Sequence, residues 1–178
     1  MIYKFRIISD ESIEFARELL IDSGQTFLDF HHCLQADLGF DPKQLSSFFI
    51  TNASWEKQLQ ITLLDMMDDE NETCITMDEA RLDSYIREKG QRMLYVFDFF
   101  SERSFFIELT EVIDISESKS LPKIIYASGS PPPQINLELD NLSISDEDLD
   151  DDFSTGSFDD DDFSEGFDFI DPEDFPNE

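Results

Sequence analysis

Apolar and polar residues alternate in several short stretches of the chain, and this period of two is typical of half-buried β-strands. Near the N-terminus, Tyr3, Phe5 and Ile7 alternate with Lys4 and Arg6. Four further runs have a strand-like composition: residues 48–51, 59–63, 93–100 and 104–112. Only three residues separate the last two runs, so the pattern predicts that they form a hairpin.

Two other segments have the spacing of helices. Thr26 followed by Asp29 has the layout of a capping box, and Gly39 is placed to end the helix that begins there. Its apolar residues lie on one side: Phe27, Phe30, Leu34 and Leu38. A second, short helix is predicted to open at 77–79 and to end near Gly90. Together these elements predict an α+β fold, a mostly antiparallel (mixed) sheet with two or three helices packed on it.

The residues from 10 to 21 fit both periods. A capped helix is slightly favoured by the local sequence of 10–20. The alternation of Phe15, Arg17, Leu19 and Ile21 fits a strand equally well. Periodicity alone therefore leaves this segment open.

The balance of charges excludes several kinds of partner. The chain has 42 acidic and 12 basic residues, hence a formal net charge of −30 and a pI near 4.1. Because nucleic-acid binding relies on cations that neutralise phosphates, this composition excludes a general basic surface for DNA or RNA. The anionic cytoplasmic face of a membrane would also repel the chain. Its 40% hydrophobic content, with 18 Phe, nevertheless indicates a folded core.

The acidic residues are concentrated towards the C-terminus. Residues 138–178 contain 18 of them and no Lys, Arg or His, so the rest of the chain holds 24 acidic residues (42 − 18) and all 12 basic ones. A stretch rich in Ser, Gly and Pro precedes this break in composition. We therefore predict a folded domain at 1–127, a linker at 128–137 and an acidic tail at 138–178.

Six aromatic rings punctuate the acidic tail: Phe153, Phe158, Phe163, Phe167, Phe169 and Phe175. Residues 151–156 (DDFSTG) return ten positions later as 161–166 (DDFSEG). We expect the tail alone to be disordered, because its like charges repel and its few apolar groups cannot offset chain entropy. Neighbouring carboxylates keep these rings soluble, so we expect the tail to dock its rings onto a basic protein partner, such as a component of the nucleic-acid machinery. The alternative is a passive tail, or one that masks its own domain.

We expect no targeting signal in this sequence. Residues 1–8 lack the apolar region of a signal peptide, and no apolar run approaches the ~20 residues of a membrane helix. We therefore expect a cytoplasmic monomer without membrane or direct nucleic-acid contacts. Cys33 and Cys74 are predicted to be buried, reduced thiols in that compartment, and a disulfide between them is the less favoured alternative.

Candidate chemical groups are few. His31, His32 and Cys33 are adjacent, but consecutive helix residues point about 100° apart and cannot bind one ion together. No motif for nucleophilic catalysis or phosphate binding occurs, so we expect no catalytic residue, no metal and no cofactor. Asp98 is a single carboxylate in an aromatic strand. The simplest interpretation is that Asp98 caps the hairpin turn or pairs with a nearby Arg.

Several short motifs follow one another in a recognisable order: Phe30-His31, Leu34-Gln35, Gly39-Phe40, then 94–99 and 106–109. In this order they resemble the plasmid pRiA4b ORF-three-like family, found in bacterial chromosomes and mobile elements. The similarity covers about residues 3–133 and leaves out the acidic tail. It implies an α+β fold with a strand at 15–21. The family brings no established biochemical activity that could be carried over.

Most polar positions of the family pattern are changed in this sequence. Phe100 and Ser101 stand where the family has Gly and Asp, and Arg103 and Phe105 where it has Trp and His. Matching polar residues remain at three positions: His31, Gln35 and Asp98. Two classes of function follow. We favour a non-catalytic protein-interaction or regulatory module, and the rival is a small ligand-binding domain or enzyme whose site includes those three residues.

Overall fold

The computed structural model describes residues 1–64, 74–114 and 120–135. Its strands are β1 (Ile2–Ser9), β2 (Ala16–Asp22), β3 (Ser47–Thr51), β4 (Lys57–Thr62), β5 (Arg92–Asp98), β6 (Arg103–Ile113) and β7 (Lys123–Ser128), and its helices are α1 (Phe27–Leu38) and α2 (Leu82–Tyr85). The strands form one sheet in the order β4-β3-β5-β6-β1-β2-β7, and each pair of neighbours is antiparallel. The predicted α+β class is confirmed, whereas the predicted disorder of the tail concerns residues outside the described ranges.

β2 occupies the segment whose periodicity was ambiguous. The preference for a helix is wrong, and the strand implied by the family resemblance is correct. Its buried residues alternate strictly, Arg17, Leu19 and Ile21, and Phe15 just before the strand continues the pattern. The strand pairs with β1 from Ile2 opposite Asp22 to Ile8 opposite Ala16. A helix would place these side chains around several faces, whereas a strand brings all of them to the core at once.

α1 begins and ends where the sequence predicts. Thr26 accepts a hydrogen bond from the Asp29 N–H (3.2 Å), and the Asp29 carboxylate accepts one from the Thr26 N–H (3.0 Å), which completes the capping box. The Phe30 ring lies 5.1 Å from that of Phe5 and 5.3 Å from that of Phe48, so α1 packs across the middle of the sheet. With 12 residues it is the longest described helix, and none of the described helices is long and apolar enough to cross a membrane.

The second helix is much shorter than predicted. The segment that should form its first turns is held by neighbouring elements through its backbone. The Met77 N–H donates to the Thr62 carbonyl (2.8 Å), and the carbonyls of Met77 and Ala80 accept from Leu28 and Phe27. Because these groups are bonded elsewhere, they cannot form the ladder of a helix. Within the predicted segment, an α-helix therefore forms only over the four residues of α2.

β7 is a strand that the sequence pattern did not reveal, and its end overlaps the predicted linker at 128–137. Arg17, only 6% exposed, holds this end in place. Its guanidinium donates to the Asp37 carboxylate (2.6 Å) and to the carbonyls of Ser128 (2.6 Å) and Gly129 (3.2 Å). Charge-assisted hydrogen bonds of this kind are stronger than neutral ones.

The following prolines also contact the domain. Arg103 donates to the Pro133 carbonyl (2.7 Å), and Pro132 is buried. The side-chain amide of Gln134 bonds with both backbone groups of Asp41 just beyond α1. The described part of the stretch predicted as a linker is therefore attached to the folded domain along most of its length.

Two glycines with positive φ differ in what surrounds them, and we predict different costs for replacing them with Ala. Gly39 (φ 68°) has nothing near the position of a Cβ, whereas at Gly129 (φ 65°) that atom would lie 2.6 Å from the Glu14 carbonyl oxygen. We expect Gly39→Ala to lower the free energy of unfolding by about 1 kcal/mol, through backbone strain alone. Gly129→Ala should cost at least about 2 kcal/mol because β7 must also shift. Urea unfolding of both variants would measure this, and equal costs would contradict the predicted clash.

Candidate functional site

A buried polar cluster lies between α1 and β5. His31 and Gln35 are one helical turn apart on the face of α1 that meets the sheet, 1% and 4% exposed, and Tyr95 on β5 is fully buried. Gln35 Nε2 donates to the Tyr95 hydroxyl at 2.6 Å. That hydroxyl lies 2.8 Å from His31 Nδ1, and Ser46 Oγ lies 3.3 Å from the same nitrogen. Two of the three residues predicted from the sequence therefore meet at one tyrosine.

The cluster is uncharged at neutral pH. Burial lowers the pKa of His31 to about 4, and the neighbouring His32 acts in the same direction. Burial raises the pKa of Tyr95 to about 12, against the opposing effect of its hydrogen bonds with Ser46 and Gln35. Since the Tyr95 hydroxyl accepts from Gln35, its proton is free to be donated to Nδ1 of neutral His31. This arrangement holds the side chains in place and does not prepare His31 to take up a proton near pH 7.

A cleft adjoins the cluster at the C-terminal end of α1. Its volume is about 370 Å³, and its walls are His32, Gln35, Ala36, Gly39, Phe40 and Pro42. Gln35 is thus the residue shared by the buried cluster and the cleft. Its Oε1 atom is buried and accepts no hydrogen bond from any described residue. A buried polar atom of this kind is uncommon in folded proteins.

Asp98 lies apart from this cluster and stabilises the hairpin of β5 and β6. Its Oδ1 atom accepts hydrogen bonds from the N–H groups of Phe100 (3.0 Å) and Ser101 (3.1 Å). Oδ2 lies 3.7 Å from Nη1 of Arg103. The Nη2 atom of the same guanidinium lies 2.8 Å from the Glu11 carboxylate. Asp98 therefore both caps the turn and pairs with an Arg, as its simplest interpretation predicted. Its hydrogen bonds do not include Gln35 or His31.

Aromatic rings connect the two regions. Phe40, in the cleft wall, lies 5.3 Å from Phe97, and the Arg103 guanidinium lies 5.0 Å from the Phe97 ring. The polar groups at the two ends of this stack are separated by apolar rings. The structure thus places His31 and Gln35 in one polar cluster and Asp98 in another.

Sequence analysis missed two members of the buried cluster, Tyr95 and Ser46. All five residues from 93 to 97 of β5 are buried, so no alternation in this strand marks the face that meets α1. A buried tyrosine nevertheless needs a hydrogen-bonding partner. The same reasoning would have paired it with His31 or Gln35. Ser46 lies before β3 and carries no comparable signal.

The cysteines and histidines do not assemble into a metal centre in the described ranges. No group of three or more His, Cys, Asp and Glu side chains is close enough there to hold an ion. Both cysteines are free thiols and half-buried, which corrects the prediction that they are buried. Burial, together with the Asp37 carboxylate, raises the pKa of Cys33. A thiol with a raised pKa is a poor nucleophile and a poor metal ligand at neutral pH.

Comparisons with known proteins give a family and a fold. The model of the family described as plasmid pRiA4b ORF-3-like protein matches residues 2–135. No curated protein matches the chain. A crystal structure of a protein of unknown function from Methanosarcina mazei Go1 is similar, with a TM-score of 0.56 and 19% identity over 71% of this chain and 68% of that one. That likeness supports the fold alone. Because the family model covers most of the sequence, the chain belongs to the plasmid pRiA4b ORF-3-like family.

Proposed function

We propose that the chain is a cytoplasmic, non-catalytic protein-interaction module whose acidic tail docks onto a basic protein partner, such as a component of the nucleic-acid machinery. One observation carries the proposal. Residues 138–178 combine 18 carboxylates, no basic residue and six Phe, two of which, Phe153 and Phe163, hold the same place in a segment that repeats after ten residues. Long-range attraction would bring a basic surface to this segment, and the rings would then occupy apolar grooves between its cations.

The chemistry of the folded domain is compatible with this role. The side chains that would have to act in catalysis have structural partners. His31 is a neutral hydrogen-bond acceptor inside the core, and Asp98 caps a turn and pairs with Arg103. Groups used in this way fix the positions of helix and strands. The domain would then serve to present the tail.

Affinity capture with three baits tests the proposal. The baits are the full chain, a full-length variant with the six tail Phe changed to Ser, and a chain lacking residues 138–178. We expect the full chain to capture a basic protein that, once purified, binds it directly and more weakly as salt rises from about 50 to 300 mM. The Phe→Ser variant keeps all 18 carboxylates and should bind at least about tenfold more weakly, because ring burial dominates contacts of this kind.

The tail proposal fails if the shortened chain recovers the same proteins with the same dependence on salt. Equal affinity of the full chain and the Phe→Ser variant would show instead that charge alone attracts the partner. Far-UV circular dichroism of all three proteins would verify that the domain is folded in each.

The rival function, a small ligand-binding domain or enzyme, has one specific observation in its favour. This is the buried, unpaired Oε1 atom of Gln35 beside the cleft. Of the three residues first assigned to that site, only Gln35 reaches the cleft wall. A ligand of the domain would therefore be recognised by Gln35 and by the end of α1, with His31 and Tyr95 holding the amide in position.

A further inference from the structure

Gln35 offers a hydrogen-bond acceptor next to the cleft. The side chain is 4% exposed, and its amide is oriented by the Nε2 hydrogen bond to Tyr95 at 2.6 Å. Tyr95 is in turn fixed by His31, so the amide cannot rotate freely. The opposite atom, Oε1, is buried and accepts nothing from the described residues, so a donor that reached it through a small movement of the cleft wall would complete its hydrogen bonding.

The end of α1 contributes further acceptors. The N–H groups of Gly39 and Phe40 both donate to the backbone carbonyl of Gln35, at 3.0 and 3.3 Å. The last three carbonyls of α1, those of residues 36–38, have no backbone partner among the described residues, and of these residues Ala36 lines the cleft. The last turn also contains no basic residue. Since the C-terminal end of a helix carries partial negative charge, a positively charged group is favoured here and an anion is disfavoured.

The walls of the cleft fit a cation at the end of an apolar stem. Ala36, Phe40 and Pro42 supply apolar surface, and the volume of about 370 Å³ admits a long side chain. The methylene groups of Lys or Arg pack on such surfaces while the charged end makes hydrogen bonds. The net charge of −30 adds a long-range attraction for the same kind of group.

We infer that this cleft binds a cationic hydrogen-bond donor, the guanidinium or ammonium group of a basic side chain, with Gln35 Oε1 as its acceptor. The source of that side chain rests on the proposed function, because the basic protein partner of the tail would supply it. The chemistry of the cleft itself does not depend on the tail.

Nuclear magnetic resonance of the isotope-labelled full chain, titrated with L-argininamide, tests the inference. We expect saturable changes at the backbone amides of Ala36 and Gly39 and at the side-chain amide of Gln35. Gln35→Met removes the acceptor at similar volume and should weaken binding about tenfold, the loss of one charge-assisted hydrogen bond. Tetramethylammonium is also a cation but has no N–H donor, so it should not produce these changes.

A second variant avoids any disturbance of the core. Ala36 is exposed, and Ala36→Arg places a guanidinium over the cleft and should abolish binding while the fold is kept. Ala53→Arg makes the same exchange at an exposed loop residue outside the cleft and should bind argininamide as the native chain does. Unchanged binding by Ala36→Arg, or equal changes with tetramethylammonium, would overturn the inference.

The tail variant separates this inference from the proposed function. The full-length chain with the 18 acidic residues of 138–178 changed to the corresponding amides (Asp→Asn, Glu→Gln) should still show the saturable changes at Ala36, Gly39 and Gln35, even though it loses the partner. If instead argininamide binding disappears in that variant, the tail and not the cleft is the cation site. A partner captured through the tail should itself bind Ala36→Arg about tenfold more weakly.

Discussion

Phe105→Ala should lower the free energy of unfolding by about 4 kcal/mol, the range seen when a large ring is removed from a well-packed core. Phe105 is 0% exposed. Its ring lies 5.0 Å from that of Phe15 and 4.7 Å from that of Phe97, and it also adjoins Phe40 and Tyr95. Rings from several separate segments of the chain would therefore lose a common partner. Because domains of this size are stable by only about 5–15 kcal/mol, the variant would lose a large share of its stability and should unfold at a much lower urea concentration.

Phe106→Ala is the matched control for this prediction. Phe106 is the next residue of β6, but it lies on the opposite face of the sheet and is only half-buried. Its ring packs edge to face on Trp55 at 5.0 Å. We expect a cost of about 2 kcal/mol and a shift in the fluorescence of Trp55, the only Trp of the chain. Urea unfolding followed by circular dichroism would measure both costs, and a larger cost for Phe106 would contradict the assignment of the core to the α1 face.

The sequence predicts those elements whose signals are local. The capping box of Thr26 and Asp29 and the glycine at position 39 act within one helical turn, so α1 could be placed from its own residues. The hairpin of β5 and β6 is predicted by two aromatic runs and a short gap. Elements decided by distant partners were not predicted correctly. The backbone of 77–80 is bonded to Thr62 and to the first turn of α1, which no local pattern shows.

The candidate site illustrates the same limit. His31 and Gln35 could be singled out from the sequence because they share one face of a helix and match a family pattern. What surrounds them could not, because Tyr95 is 60 residues from Gln35 along the chain and meets it only through the register of the sheet against α1. Asp98 was grouped with them by its match to the family. In the structure Asp98 is separate from His31 and Gln35, because its carboxylate is bound to an N–H group of the turn and lies next to the Arg103 guanidinium.

The buried histidine predicts a loss of stability in mild acid. The unfolded chain should bind a proton at His31 near pH 6.5, whereas burial holds the folded pKa at about 4. Between these values only the unfolded state takes up the proton, so the stabilisation is complete above about pH 6.5 and is lost as the pH falls towards 4. The full effect is about 3 kcal/mol, of which about 2 kcal/mol falls between pH 6.5 and 5. Measurements above pH 5 also stay clear of the pI near 4.1.

Two single substitutions isolate this contribution. His31→Gln keeps a hydrogen-bond acceptor for Tyr95 but does not titrate, so the stability difference between the native chain and this variant should shrink by about 2 kcal/mol from pH 7.5 to 5. His32→Gln changes the adjacent, exposed histidine and removes only the smaller of the two causes of the lowered His31 pKa, so its difference from the native chain should change by much less than that of His31→Gln. The many carboxylates titrate alike in all three proteins and cancel in these differences. Urea unfolding at each pH gives the values. A constant difference for His31→Gln would show that His31 takes up its proton at the same pH in the folded and the unfolded chain, which would contradict the prediction.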